Sequence, residues 1–307
     1  MEIGQPDLRV KIGSLSLQNP VMTASGTFGY GEEFADYVNL HRLGAVVVKG
    51  ISMQPRAGNP PPRIVETACG MLNAIGLENV GAEKFLAEKL PYLLKANATV
   101  VVNVLGDSID AYQALAERLH GIDGISALEI NISCPNVRKG GVAFGTDPEM
   151  AQRVTEAVRK VTDLPLIVKL SPNVTDITAI AKAVEAGGAD AVSLINTLLG
   201  LAINSKTRRP VLANIVGGLS GPAVKPVALR MVWQVAQAVQ IPVVGIGGIC
   251  TAEDAIEFLI AGATAVEIGT ANFINPRATE DLLIGIGDYL KENRMDSIQE
   301  LIGSLQT

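Results

Sequence analysis

Residues 164–197 read LPLIVKLSPNVTDITAIAKAVEAGGADAVSLINT. The run Leu166 to Leu170 is short, apolar and partly β-branched, which predicts a buried strand. From Thr175 to Gly187 the apolar residues return at three-to-four spacing behind a Thr-Asp cap, which predicts a helix. A second apolar run, Ala191 to Asn196, follows. The stretch is therefore one β–α–β unit, and a helical crossover of this kind joins parallel strands.

The unit recurs in both directions. Further apolar runs occur at Asn19 to Ser25, Ala45 to Lys49, Thr99 to Val104, Ala127 to Ile132, Pro242 to Ile246 and Ala265 to Ile268. Between them lie SIDAYQALAERLHGI, DPEMAQRVTEAVRKV and TAEDAIEFLIAG, each opening on a Ser, Asp or Thr that can cap a helix. Eight such units, with no short terminal domain of the kind a doubly wound sheet would need, predict an α/β fold. The expected form is a closed (β/α)8 TIM barrel with helices outside; an open sheet is the weaker alternative. A length of 307 residues would also accommodate two domains. A barrel with long loops needs only one, so residues 1–307 are expected to form a single domain.

Composition narrows the function classes. Lys and Arg number 25 against 31 Asp and Glu, a net charge of −6, which argues against binding a nucleic-acid backbone. Hydrophobic residues make up 48% and charged ones 18%, far from the signature of disorder. No signal-like leader and no membrane-length apolar window occurs, so a cytoplasmic location without membrane contact is expected. Cys69, Cys134 and Cys250 are too scattered for a disulfide framework or an iron–sulfur site, and two histidines make a metal centre improbable.

In a (β/α)8 barrel the chemistry sits at the carboxyl ends of the strands. Here those ends carry Ser25, Lys49, Asn103, Asn131 with Cys134, Lys169, Asn196 with Thr197, Gly247 with Gly248, and Gly269 with Thr270. A single Asn or Thr there is most simply a strand end reaching solvent, but the whole set resists that reading. Lys49 in AVVVKG and Lys169 in LIVKLS follow buried strands, where a lysine must find an anion or surrender its charge. The glycines of VVGIGGI and VEIGTA let backbone N–H groups approach an anion after strands seven and eight, the usual barrel phosphate site. Two connections, Gly50 to Val80 and Thr197 to Pro222, are too long for simple turns and are expected to act as binding loops. Cys134 lies just past a strand, where a thiol can serve as a base; Cys69 and Cys250 are read as small packing residues. His41 and His120 fall near helix ends and are not chosen as bases.

Taken together, NPVMTASGTFGYG, GNPPPR, GMLNAIGLEN, NISCPNV, VKLSPNVTD, INTL, GGLSGP, GIGGI and IGTA resemble the flavin-dependent dihydroorotate dehydrogenases over essentially the whole chain. A cysteine at position 134, with KTRRP and GGLSGPA, is similar to the class 1B catalytic subunit. The resemblance implies oxidation of (S)-dihydroorotate to orotate in pyrimidine biosynthesis, with Cys134 as catalytic base. It implies one FMN surrounded by Ser25, Lys49, Gly50, Asn103, Asn131, Lys169, Ile195, Gly221, Gly247, Gly248, Gly269 and Thr270, the last four holding its phosphate. Substrate would be held by Lys49, Asn73, Ala74, Ile75, Gly76, Leu77, Asn131, Asn196 and Thr197. It also implies a partner subunit carrying FAD and a [2Fe-2S] cluster that passes electrons to NAD, in a heterotetramer of two catalytic and two electron-transfer chains. Cys69, where a serine is familiar, and Gly50-Ile51-Ser52 after the lysine depart from the family pattern.

Other readings follow from the same residues. A dihydropyrimidine dehydrogenase-like barrel would share the flavin and the cysteine but act on uracil or thymine. A Schiff-base aldolase would be built on Lys169, since desolvated barrel lysines do such chemistry. A non-catalytic barrel scaffold leaves the ring of polar strand ends unexplained.

Overall fold

The computed structural model describes residues 5–133 and 144–306. Eight parallel strands form its centre: β1 Val21–Thr23, β2 Val46–Val47, β3 Val100–Val104, β4 Ile125–Asn131, β5 Leu166–Lys169, β6 Ala191–Leu194, β7 Val243–Ile246 and β8 Ala265–Ile268. Each pairs with its neighbours in chain order from β2 round to β8, and β8 pairs with β1. A parallel bridge between Met22 and Ala45, with Thr23 N–H donating to the Ala45 carbonyl at 3.2 Å, closes the ring. The (β/α)8 expectation holds, and each of the eight predicted runs overlaps an observed strand, with ends that differ by a few residues.

The strands are apolar because both their faces are covered. Val46, Val47, Val100, Val101, Val102, Ile167, Val168, Val192, Val244 and Val266 are all buried. Helices α1 Ile109–Leu119, α2 Pro148–Arg159, α3 Ile177–Ala186, α4 Lys225–Ala236, α5 Ala252–Ile260 and α6 Ala278–Glu292 surround them. Their starts are chemically marked. Ser108, Asp147, Asp176 and Thr251 each accept a backbone N–H of the first turn, and Thr251 with Asp254 completes a reciprocal capping box. One apolar core runs from Val10 to Leu301.

Further elements among the described residues lie outside the barrel pattern, including a short antiparallel pair, Ile203–Asn204 with Arg209–Pro210. An antiparallel hairpin, Val10–Ile12 with Leu15–Leu17, buries alternate residues, and its turn at Gly13 lies against Asp190, just before β6. It therefore covers the amino-terminal mouth. The two long connections are not plain loops: Leu198–Leu201, Val216–Ser220, Gly70–Asn73 and Ile64–Thr67 pair in that order as a four-stranded antiparallel sheet. These strands are short, glycine-rich and half exposed, so they lack the continuous apolar run that marks the barrel strands. Cys69 sits in the turn between Ile64–Thr67 and Gly70–Asn73 and is exposed, which corrects its reading as a packing residue; Cys250 does pack against the core.

Helix α6 carries a test of the packing. A Cβ added at Gly285 would stand 2.4 Å from the Ala252 Cβ of α5, whereas at Gly287 it would meet nothing within 4 Å. Gly287→Ala should stabilise the chain by up to about 1 kcal/mol through helix propensity. Gly285→Ala should lose stability by about 1 to 2 kcal/mol, because the α5–α6 contact must open. Thermal melts of the two variants read the opposite signs, and equal effects would contradict this packing.

Candidate active site

Three ionisable side chains meet inside the barrel. Glu129 on β4, Lys169 on β5 and Glu267 on β8 are 0%, 5% and 0% exposed. Lys169 Nζ donates to Glu267 Oε2 at 3.0 Å and lies 3.5 Å from Glu129 Oε1. Ser193 Oγ on β6 donates to Glu129 Oε1 at 2.8 Å, and Asn103 Nδ2 on β3 donates to Glu129 Oε2. Burial alone would favour neutral forms of all three. For Glu129 that upward pull is outweighed by the Lys169 ammonium and the hydroxyl and amide donors, so its carboxyl stays below the usual range. Burial also pulls Lys169 down, but the two carboxyl groups beside it outweigh this and hold it charged. Glu267 is pushed well above the usual carboxylate range by burial and then by the Glu129 charge, which favours its neutral, protonated form.

Above this cluster the strand ends link several of the predicted site residues. Asn196 Nδ2 donates to Asn131 Oδ1 at 3.2 Å, and the Asn131 carbonyl accepts from the Tyr112 hydroxyl at 2.6 Å. Asn173 Nδ2 donates to the Thr197 carbonyl at 3.0 Å, and Asn73 Nδ2 to the Gly218 carbonyl at 3.3 Å. A Cβ at Gly218 would come within 2.1 Å of Thr197 Oγ1, so the sheet segment presses directly on the end of β6. Thr270 Oγ1 donates to Ser220 Oγ at 2.8 Å, tying the end of β8 to the same segment, and Gly221 follows it. Gly50 faces Asn103, whose Oδ1 is buried and has no partner among the described residues.

The remaining predicted residues are placed as follows. Ile195 is buried beside Gly247, and Gly247 and Gly248 make a turn at φ +121° and +79° that suits glycine. Lys225 lies against Gly248 and pairs with Asp254 and with Glu257 at 2.8 Å. Gly269 packs on Ala24, next to the buried Ser25. Ala74 N–H donates to the Arg63 carbonyl, Asn59 contacts the Ala74 and Ile75 carbonyls and Gly76, and Leu77 is left-handed at φ +59°. Lys49 is half-buried and has no ion-pair partner among the described residues. Cys134 lies outside the described residues.

The sequence reading missed Glu129, Ser193, Glu267 and Asn173. The first and third carried a signal: in ALEIN and AVEIG an acidic residue interrupts an apolar strand, two residues before its end at Glu129 and one before it at Glu267. Ser193 and Asn173 carried none, since short polar residues at strand ends are ordinary. Chemically, the rim offers amides that donate and accept, a cation at Lys49 with no ion-pair partner among the described residues, and glycine-bearing turns after β7 and β8 where backbone N–H groups can meet an anion.

Comparison with known proteins identifies the family. The family model for dihydroorotate dehydrogenase matches residues 7–290. A protein of Geotalea uraniireducens (strain Rf4), named dihydroorotate dehydrogenase B (NAD(+)), catalytic subunit, is 59% identical over 305 residues, covering 99% of this chain and 100% of its own length. Proteins of the same name from Geobacter metallireducens and Geobacter sulfurreducens are each 59% identical over 302 residues, 98% of this chain and 99% of theirs. With the barrel, the rim and the match running together over nearly its whole length, the chain belongs to the dihydroorotate dehydrogenase family.

Proposed function

We propose that the chain, as one barrel domain, is the FMN-binding catalytic subunit of a class 1B dihydroorotate dehydrogenase, oxidising (S)-dihydroorotate to orotate in pyrimidine biosynthesis. The observation that carries this reading is the ring of amides, lysines and bare glycine turns at the strand ends, in a chain whose full-length relatives bear that name. The described residues fit a flavin mononucleotide. Asn103 Oδ1 is buried and waits for a donor, and Gly50 leaves room in front of it. Gly221, Gly247, Gly248, Gly269 and Thr270 border the turns where a phosphate would meet backbone N–H groups. Ser25, Asn131 and Ile195 would complete the enclosure.

When bound, FMN supplies an acceptor for the hydride that leaves C6 of dihydroorotate. The chain's own residues do the rest. Cys134 takes the C5 proton; only the thiolate can, and an unperturbed thiol titrates near ~8.5, so the rate rises with pH toward that range. Asn73, Asn131 and Asn196, with Thr197 and the backbone of residues 74–77, match the alternating N–H and C=O groups of the pyrimidine ring. Lys49, with no ion-pair partner among the described residues, pairs with the substrate carboxylate. Lys169 keeps its charge inside the barrel and stabilises negative charge that builds on the cofactor side.

The relatives' name, a catalytic subunit of an NAD(+) enzyme, supports a companion chain. In this reading that partner carries FAD and a [2Fe-2S] cluster and passes electrons to NAD in a heterotetramer of two chains of each kind. The three scattered cysteines support a reducing, cytoplasmic setting. No helix among the described residues is long and apolar enough to cross a membrane.

Two variants test the assignments. Lys49→Ala should weaken orotate binding about ten- to a hundredfold, the worth of a charge-assisted hydrogen bond; titration of the flavin spectrum with orotate reads this, and unchanged affinity would remove the carboxylate partner. Cys134→Ser should retain flavin but slow its reduction by dihydroorotate about 10²-fold or more. Stopped-flow reduction at wild-type speed would exclude Cys134 as the base.

A further inference from the structure

Two carboxyl groups share one ammonium inside the barrel, and they are not equivalent. Glu129 accepts from Asn103 and Ser193 and faces Lys169. Among the described residues, Glu267 accepts a hydrogen bond from Lys169, and no donor reaches its Oε1 although that atom is fully buried. The Glu129 and Glu267 carboxyl groups lie within hydrogen-bonding reach of each other. An ionised carboxylate with a bare oxygen at zero exposure is costly, whereas an acid can donate that oxygen's proton to Glu129. Its register neighbours, Met22 on β1 and Ile246 on β7, are apolar, and the titratable groups acting on it are Glu129 and Lys169.

We propose that Glu267 is a positioning residue for the flavin reaction: as a neutral acid it anchors the Lys169 ammonium without cancelling its charge. With Glu267 protonated the cluster sums to +1 for Lys169 and −1 for Glu129, which is zero. Ionised Glu267 would make it −1, and the negative charge arriving on reduced FMN would be repelled instead of stabilised. Without the Glu267 oxygen, Lys169 closes on Glu129 and its charge is spent there. The inference rests on the flavin reading of the site and adds a residue whose effect runs through Lys169.

The test is the two-electron midpoint potential of bound FMN in the wild-type chain, Glu267→Gln and Glu267→Leu at neutral pH. Gln keeps a neutral acceptor, so its potential should match wild type within about threefold in the stability of the reduced form, or about 15 mV. Leu removes the acceptor and should lower that stability tenfold or more, about 30 mV. A tenfold rise in Glu267→Gln would mean an ionised Glu267, and an unchanged Glu267→Leu would mean no link to the flavin; either overturns the proposal.

A second measurement needs no cofactor. A carboxyl raised on folding contributes stability that is full below the unfolded value, ~4.3, and is lost as pH rises toward its folded value. In FMN-free chains, the folding constant of Glu267→Gln should therefore gain on wild type by about tenfold per pH unit from about pH 5 upward. A constant ratio would contradict the neutral acid. A chain that binds no FMN would count against the proposed function, while this arm would still decide the protonation of Glu267.

Discussion

Among the described residues of the barrel strands, the buried ionisable side chains are one lysine and two glutamates that meet, and that cluster constrains much of the rest. Removing each ionised group from water costs several kcal/mol, so the cluster is tolerable only when its hydrogen bonds form together. The contributing groups come from five of the eight strands: Asn103, Glu129, Lys169, Ser193 and Glu267. A one-residue slip of β4 or β5 would turn Glu129 or Lys169 out of the interior and leave its partners unsatisfied. The cluster thus specifies strand register, and it fixes a positive charge under the face where barrel enzymes keep their chemistry.

Much of the fold was legible because parallel strands buried on both faces must read as continuous apolar runs. LIVKL, AVSLI and VVGI could be placed for that reason, and the capped helices between them dictated a closed ring. The four-stranded sheet over the mouth was not legible. Its strands alternate between half-buried and exposed, as in Leu198–Leu201, and their pairing joins segments far apart in sequence. The amino-terminal hairpin was missed for a similar reason: three residues per strand are too few for a period to show.

The site shows the same division. Strand-end lysines and asparagines stood out because a polar residue after an apolar run needs a reason to be there. Glu129 and Glu267 stood within apolar strands and were as conspicuous, but reading only the terminal positions passed over them. What no single sequence displays is the pairing: that Lys169 faces both carboxyls, that Thr270 reaches Ser220, and that Asn173 braces Thr197. The sheet formed by the two long connections explains how residues near position 73 come to the same rim as those of β4 and β6. Each connection alone would be a loop; paired, they make a wall.

The central claim is that this rim holds FMN and reduces it with dihydroorotate. Its most direct test is the visible spectrum of the purified full-length chain, reconstituted with FMN if needed, recorded without oxygen before and after adding dihydroorotate or dihydrouracil. The account predicts a yellow protein that dihydroorotate bleaches and dihydrouracil does not. A chain that binds no FMN, or one bleached only by dihydrouracil, would contradict it.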